Sequence, residues 1–297
     1  MAAMRSAQEA SDRRTGLLFL VITSVGWGVN WPAMKVLLLE WPPLFSRGLA
    51  GIVAAAGLAA LALARNESLV VPRDAWPRLI ASSAINVTAW MGLSSVAMQW
   101  LSAGEGALVL YTMPIWATLF AWPVLGERPT PQRILALAMG IAGIALLFAG
   151  QPLARDTDKL LGIAFMLTAG VLFAFGTVTL RRPLSLSPIA TVAWQVGLGC
   201  VPMLLYAAAF EAPRLDDLSA AGASVMVYMA VVPMGVCYLS WFAALERLPP
   251  ATASMATLMV PVVGVVAGAL ALGEPLGLQQ LAALALTLGG VGLALRK

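Results

Sequence analysis

The residues of this chain that can do chemistry lie inside apolar runs. Trp27, Asn30, Trp31 and Met34 are spaced i, i+3, i+4, i+7, so they share one face of a helix. That face combines an amide that donates and accepts hydrogen bonds with indoles and a thioether that take up apolar surface. Further on, Asn86 and Trp90 stand one turn apart, and Tyr111 and Thr112 precede Pro114. Trp194 adjoins Gln195, Tyr238 and Trp241 share a face below Tyr228, and Met255 and Met259 precede Pro261. Asn, Gln and Tyr are costly against lipid. As a group these residues predict a cavity lined by aromatics, Met and a few amides, suited to a mostly apolar solute with polar ends.

Each residue also has a plainer reading. Pro32 removes the backbone donor for the carbonyl near Gly28 and should bend the helix. Asn30 can bond that carbonyl instead of a solute, and any one aromatic can fill space between helices. Arg47 is the only base well inside an apolar run. It can attract a solute carboxylate, reach the nearby outer boundary with its long side chain, or pair with Glu40. Ser102-Ala103-Gly104-Glu105 reads as a capping box, which leaves Glu105 little part as a proton carrier. Glu127 and Glu274 sit in Gly-Glu turns and hold turn and helix ends. Pro32, Pro114 and Pro261, with Pro233, are the expected hinges.

The elements that must position these groups are transmembrane helices. The chain is 60% hydrophobic and 11% charged, with mean hydropathy +0.87. A soluble domain carries roughly 25% charged residues. A spanning helix needs about 20 mostly apolar residues. Ten stretches qualify: 16–36, 43–63, 77–98, 103–125, 131–149, 160–180, 188–210, 220–245, 252–272 and 277–295. They are continuously apolar rather than alternating, which excludes barrel strands. The first is too long for a signal peptide and reads as a retained helix.

Lys and Arg orient the chain. With the N-terminus inside, the inner loops and tails hold Arg5, Arg13, Arg14, Arg65, Arg73, Arg78, Arg128, Arg133, Arg181, Arg182, Arg247, Arg296 and Lys297. The outer loops hold Lys35, Arg155, Lys159 and Arg214. Both termini are therefore expected in the cytoplasm of a multi-pass protein of a bacterial inner (plasma) membrane. The basic balance reflects this orientation and predicts no nucleic-acid partner. There is no His, and Cys200 and Cys237 both lie within spans. No metal site, His-based catalytic centre or cofactor is expected, and no nucleotide-binding loop is present.

The sequence repeats. Shifted by 147 positions, Pro114 falls on Pro261, Gly126-Glu127 on Gly273-Glu274, Gln132 on Gln279 and Gly143 on Gly290. Residues 1–150 and 151–297 are two five-span repeats, and an odd number of spans places them in opposite directions across the bilayer. The expected fold is an all-α membrane protein, ten transmembrane helices as two inverted five-helix repeats around a central cavity. Gly140 with Gly143, and Gly289, Gly290 and Gly292, allow close approach. They join each peripheral helix to its own bundle or form a homodimer seam.

With Trp27-Gly28-Val29-Asn30-Trp31, Arg47 followed by Ala50, the Pro114 and Pro261 pair and the two Gly-Glu turns, the chain resembles the drug/metabolite transporter superfamily in its EamA-like branch. Within the branch it is most similar to aromatic amino-acid exporters of the YddG type. The resemblance implies helices 1–4 and 6–9 around a central cavity, with helices 5 and 10 outside. It also implies export of amino acids, aromatic or other apolar ones, by alternating access. Another small metabolite or a drug-like cation is the alternative solute. A lipid-modifying membrane enzyme is a further alternative, disfavoured because the inner loops offer mainly Arg. The expected partners are the solute and membrane lipid, the state monomer or homodimer.

Overall fold

The structure, a computed structural model, describes residues 2–126, 130–151, 156–180, 184–211, 213, 218–248 and 257–295. The described residues contain no strand. Helix is what apolar runs of this kind must adopt in lipid, because a helix satisfies every backbone group within the segment. The helices are α1 (Ala2–Leu37), α2 (Pro43–Ala64), α3 (Arg73–Ala97), α4 (Ala103–Leu125), α5 (Pro131–Leu147), α6 (Thr157–Thr179), α7 (Pro188–Phe210), α8 (Ala220–Leu245), α9 (Met259–Leu272) and α10 (Leu278–Leu295).

Seven of them are long and apolar enough to cross a membrane: α1 from Asp12 on, α2, α3, α4, α6, α7 and α8. The other three, α5, α9 and α10, are apolar but shorter, where the sequence reading expects ten full spans. α5 stops at Leu147 because residues 148–150 turn, with Gly150 at φ 77°. The expected start of α9 lies among residues 249–256, outside the described residues, as do Met255, Glu127, Arg128, Arg155, Arg181, Arg182, Arg214, Arg296 and Lys297. α4 and α9 both end on the repeat-related glycines Gly126 (φ 76°) and Gly273 (φ 67°). Only glycine takes this left-handed conformation without strain, so these residues stop their helices.

The two halves of the chain interleave. α2 packs antiparallel on α7, with Gly48 against Leu204 and Gly51 against the Cys200 thiol. Each helix start in this pair is held by an acid beyond the end of the other. Glu211 accepts from the Leu44 and Phe45 amides at 3.1 and 2.8 Å. Glu67 accepts from the Ser187 hydroxyl, just before α7.

α5 and α10 form a second antiparallel pair. Gln132 Nε2 donates to the Leu293 carbonyl at 2.9 Å, and Gln279 Nε2 donates to the Leu146 carbonyl at 2.8 Å. The donors and the acceptors of these two bonds are each 147 positions apart, the register of the sequence repeat. A Cβ on Gly143 would collide with Thr287 Oγ1, and one on Gly290 would meet the Ala136 carbonyl at 2.8 Å. Gly143, Gly289 and Gly290 thus seat α5 on α10, while Gly140 packs on Ile115 of α4 in its own half. The seam is filled within one chain.

The start of α4 is capped twice. Ser102 Oγ accepts from the Glu105 amide at 3.1 Å and the Ser102 amide donates to Glu105 Oε2 at 2.9 Å, the expected capping box. Glu274 reaches across from the α9–α10 turn and accepts from the Ala103 and Gly104 amides at 2.6 and 3.0 Å. We expect Glu274→Ala to leave these amides unsatisfied and to lower stability by about 2 kcal/mol. A lower melting temperature in detergent is the readout, and an unchanged one would remove Glu274 from this role.

Glu40 is engaged elsewhere than expected. It accepts from the Ser219 hydroxyl at 2.6 Å and the Ser219 amide at 2.8 Å, at the N-cap of α8. These bonds hold the Glu40 carboxyl below the usual carboxylate range. They tie the end of α1 to the start of α8, and Glu40 is not the partner of Arg47.

Candidate functional site

The site is built from irregular helix. α1 runs unbroken through Pro32. α3 contains a wide π-helical segment, Ala84–Gly92, and α8 contains another, Val232–Val236. Shifted by 147, residues 85–89 fall on 232–236, so the two distortions occupy equivalent places in the repeat. Pro233, which lacks an N–H, accounts for the one in α8. Such segments recur at functional sites, and in a membrane they are tolerated only inside protein or along a cavity. α4 is broken at Tyr111–Thr112 before Pro114, and a turn at Thr257–Leu258 stands before Pro261.

These irregularities place the expected residues. Trp27 is half-buried, and its Nε1 donates to the Pro233 carbonyl at 2.9 Å. Its ring lies 5.6 Å from Tyr238, edge on, and 6.0 Å from Trp241. Tyr238 is within electrostatic reach of both Arg47 and Tyr111, and Arg47 also of Cys200. Trp27, Tyr238, Trp241, Arg47 and Tyr111 thus form one neighbourhood, from α1, α2, α4 and α8. The π segment of α3 supplies Trp90, whose ring is 5.0 Å from Phe173 of α6, and Asn86, whose Oδ1 is pressed against Gly176 of α6. Trp31 is only 5% exposed and is wedged against Gly106 and Gly264.

Other expected residues stand apart. Trp194 Nε1 donates to the Leu69 carbonyl at 2.9 Å and its ring meets Trp76 edge on at 5.5 Å. Gln195 Nε2 donates to Ser82 Oγ at 2.9 Å. Met259 is 51% exposed at the start of α9. Arg47 is 6% exposed, so its side chain is enclosed by protein.

One property separates part of this set from ordinary packing. Five buried side-chain polar atoms among the described residues lack a hydrogen-bond partner: Asn30 Oδ1, Arg47 Nε and Nη1, Asn86 Oδ1 and Trp90 Nε1. Leaving a buried polar atom unpaired costs about 1–3 kcal/mol, more for a charge. Folded proteins carry few such atoms, and each needs an explanation. Chemically they offer guanidinium and indole donors together with two amide acceptors. A guanidinium matches a carboxylate, and amide oxygens match an ammonium. The sequence reading names all of these residues but not Phe173 or the π segments. A lone Phe in an apolar run carries no mark that distinguishes a stacking partner from filler.

Apolar helices of this length, enclosing a few polar side chains, are the build of a multi-pass membrane protein. Residues 14–149 and 160–296 match the EamA-like transporter family. The chain belongs to that family and is a multi-pass membrane transporter of a small molecule. It is 29% identical over 276 residues to the uncharacterized transporter YvbV of Bacillus subtilis, covering 92% of this chain and 88% of that one. It is 26% identical over 291 residues to a probable amino-acid metabolite efflux pump of Escherichia coli, covering 94% of each. It is 27% identical over 265 residues to a probable terminal-alkyne amino-acid exporter of Streptantibioticus cattleyicolor, covering 86% of this chain and 84% of that one. A crystal structure at 20% identity overlays 96% of both chains with a TM-score of 0.68, a likeness of fold.

Proposed function

We propose that this chain is a secondary carrier that exports amino acids, aromatic or other apolar ones, across a bacterial inner membrane. The unsatisfied atoms on Asn30, Arg47, Asn86 and Trp90 carry the reading. Arg47 takes the carboxylate, the Asn30 and Asn86 oxygens take the ammonium, and the rings of Trp27, Trp31, Trp90, Tyr111, Tyr238 and Trp241 take the side chain. The buried guanidinium opposes a cationic drug as solute. The names of the amino-acid exporters among the relatives support the same class.

Alternating access follows from two inverted halves, 1–150 and 151–297, that rock around this centre. Three features support it: the two family matches, the 147-residue relation of the Gln132 and Gln279 bonds, and the paired π segments. Pro32, Pro114 and Pro261 are the hinges, with both termini in the cytoplasm. Trp194, Gln195 and Met259 join the path when the inner side opens.

Counterflow of labelled Phe in proteoliposomes tests the carrier. Unlabelled Phe inside should accelerate entry of label, since only a carrier shows this trans-stimulation. Asn30→Ala and Trp90→Ala should each lower uptake about tenfold, as for loss of one hydrogen bond to a charged or aromatic solute, without loss of protein from the membrane. Normal uptake by both variants would remove them from the solute path.

A further inference from the structure

A cavity of about 360 Å³ lies away from the central residues, where the ends of α1, α4, α5 and α6 meet the α9–α10 turn. This volume falls within the usual range of small-molecule sites, roughly 300–1,000 Å³. Its polar wall holds Lys35 and Glu105 from the first half of the chain and Lys159 and Glu274 from the second. Leu108, Leu147 and Val265 give it an apolar wall. Trp31, one turn deeper than Lys35 on α1, is wedged against Gly106 and Gly264 of the helices that supply Leu108 and Val265.

The hydrogen-bond inventory gives this cavity a sign. Both oxygens of Glu274 are taken by the Ala103 and Gly104 amides. Glu105 Oε2 accepts from the Ser102 amide at 2.9 Å. Its Oε1 accepts from Gln151 Nε2 at 3.1 Å and from Lys159 Nζ at 2.8 Å. The first amides of α4 are occupied too, so no free helix start is on offer. The ammonium groups differ. Each carries three N–H donors. Lys35 Nζ spends one on the Met98 carbonyl at 2.8 Å, and Lys159 Nζ spends one on Glu105. Every acid oxygen facing the cavity is engaged, while both bases keep donors in hand. The uncommitted N–H donors on Lys35 and Lys159 can take an anion, and an ammonium–carboxylate hydrogen bond is charge-assisted.

We propose that this cavity is a second binding site, one that takes an organic carboxylate through Lys35 and Lys159 and lays its apolar part on Leu108, Leu147 and Val265. Its place in the transport cycle rests on the carrier reading above: a solute leaving the centre past Trp31 is caught here by its carboxylate before release. The binding itself does not rest on that reading. The ligand class is a small monocarboxylate with an apolar body, with or without an α-ammonium.

Cysteine protection tests the site without a transport measurement. Gln280 lines the cavity. Gln280→Cys is placed in a background where Cys200 and Cys237 are replaced by Ala, and the purified protein is labelled with a methanethiosulfonate reagent. The probes are 3-phenylpropionate, which has a carboxylate and no ammonium, and phenethylamine, which has the reverse. We expect 3-phenylpropionate to slow labelling and phenethylamine to leave it unchanged. Lys35→Gln and Lys159→Gln should each raise the protecting concentration about tenfold, the loss of one hydrogen bond to a charged group. Lys35→Arg should restore protection, and a monodisperse gel-filtration profile of every variant excludes misfolding as the cause. Arg47→Met should leave protection intact. Absence of protection by the carboxylate, equal protection by the amine, or loss of protection in Arg47→Met would each overturn the proposal. Failure of Phe counterflow with protection preserved would instead sink the carrier reading and leave the site standing.

Discussion

Arg47→Met should abolish most Phe transport and at the same time raise the melting temperature of the empty protein. The side chain is 6% exposed, and two of its three guanidinium nitrogens have no acceptor. Glu40, its nearest sequence candidate for an ion pair, is spent on Ser219. A buried charge with unmet donors is a stability cost, and replacing buried ionic groups by apolar ones of similar volume is neutral or stabilising by about 1–4 kcal/mol. Met is unbranched and flexible enough to follow the same path. The solute loses a charge-assisted contact, so uptake should fall by about two orders of magnitude, corresponding to roughly 3 kcal/mol. Thermal unfolding in detergent and uptake in proteoliposomes are the two measurements. Opposite signs are expected, and a variant that melts lower or transports normally would show that Arg47 belongs to the scaffold. A purely structural arginine cannot give the gain in stability together with the loss of transport.

Gly290→Leu should cost about 3 kcal/mol of stability or prevent accumulation in the membrane, near the upper end of what overpacking costs. A Cβ there would lie 2.8 Å from the Ala136 carbonyl, 3.1 Å from Met139 Cβ and 3.2 Å from the Gly140 amide. Two of these atoms are backbone, so no rotamer change relieves the clash. The helices must separate, which also stretches the Gln132 and Gln279 bonds to the opposite helix ends. In lipid, helix association depends on close packing and interhelical hydrogen bonds, and both would be lost at once. Gly57→Leu is the control, because a Cβ on Gly57 would meet nothing within 4 Å. Equal melting temperatures for the two variants would show that the α5–α10 seam contributes little.

Much of the candidate site is legible in the residues alone. Asn30, Arg47, Asn86 and Trp90 stand out because a polar atom within an apolar run must find a partner or a purpose, and these are the residues left unpartnered in the fold. The capping box at Ser102 and Glu105 is likewise readable, since its chemistry is local and its spacing fixed. Glu274 as a helix cap is half-readable: the turn predicts an end-holding role, but the end it holds is 170 positions away, on Gly104. Trp194 and Gln195 show the opposite case. Their types fit a cavity, yet their donors are spent on Leu69 and Ser82, acceptors that only packing brings near.

The division has one cause. Composition and run length determine that this is an apolar helical chain, because lipid leaves backbone polar groups no partner except those within a helix, and the 147-position register is written in the residues themselves. Those are properties of neighbours along the chain. The mating of α5 with α10, the diversion of Glu40 from Arg47, the matched π segments and the cavity beside Lys35 are decided by contacts between positions far apart in sequence. Hydrogen bonds saturate: an acceptor claimed by one donor is withdrawn from another. Which groups are left to meet a solute is therefore known only once every competing partner has been placed in space.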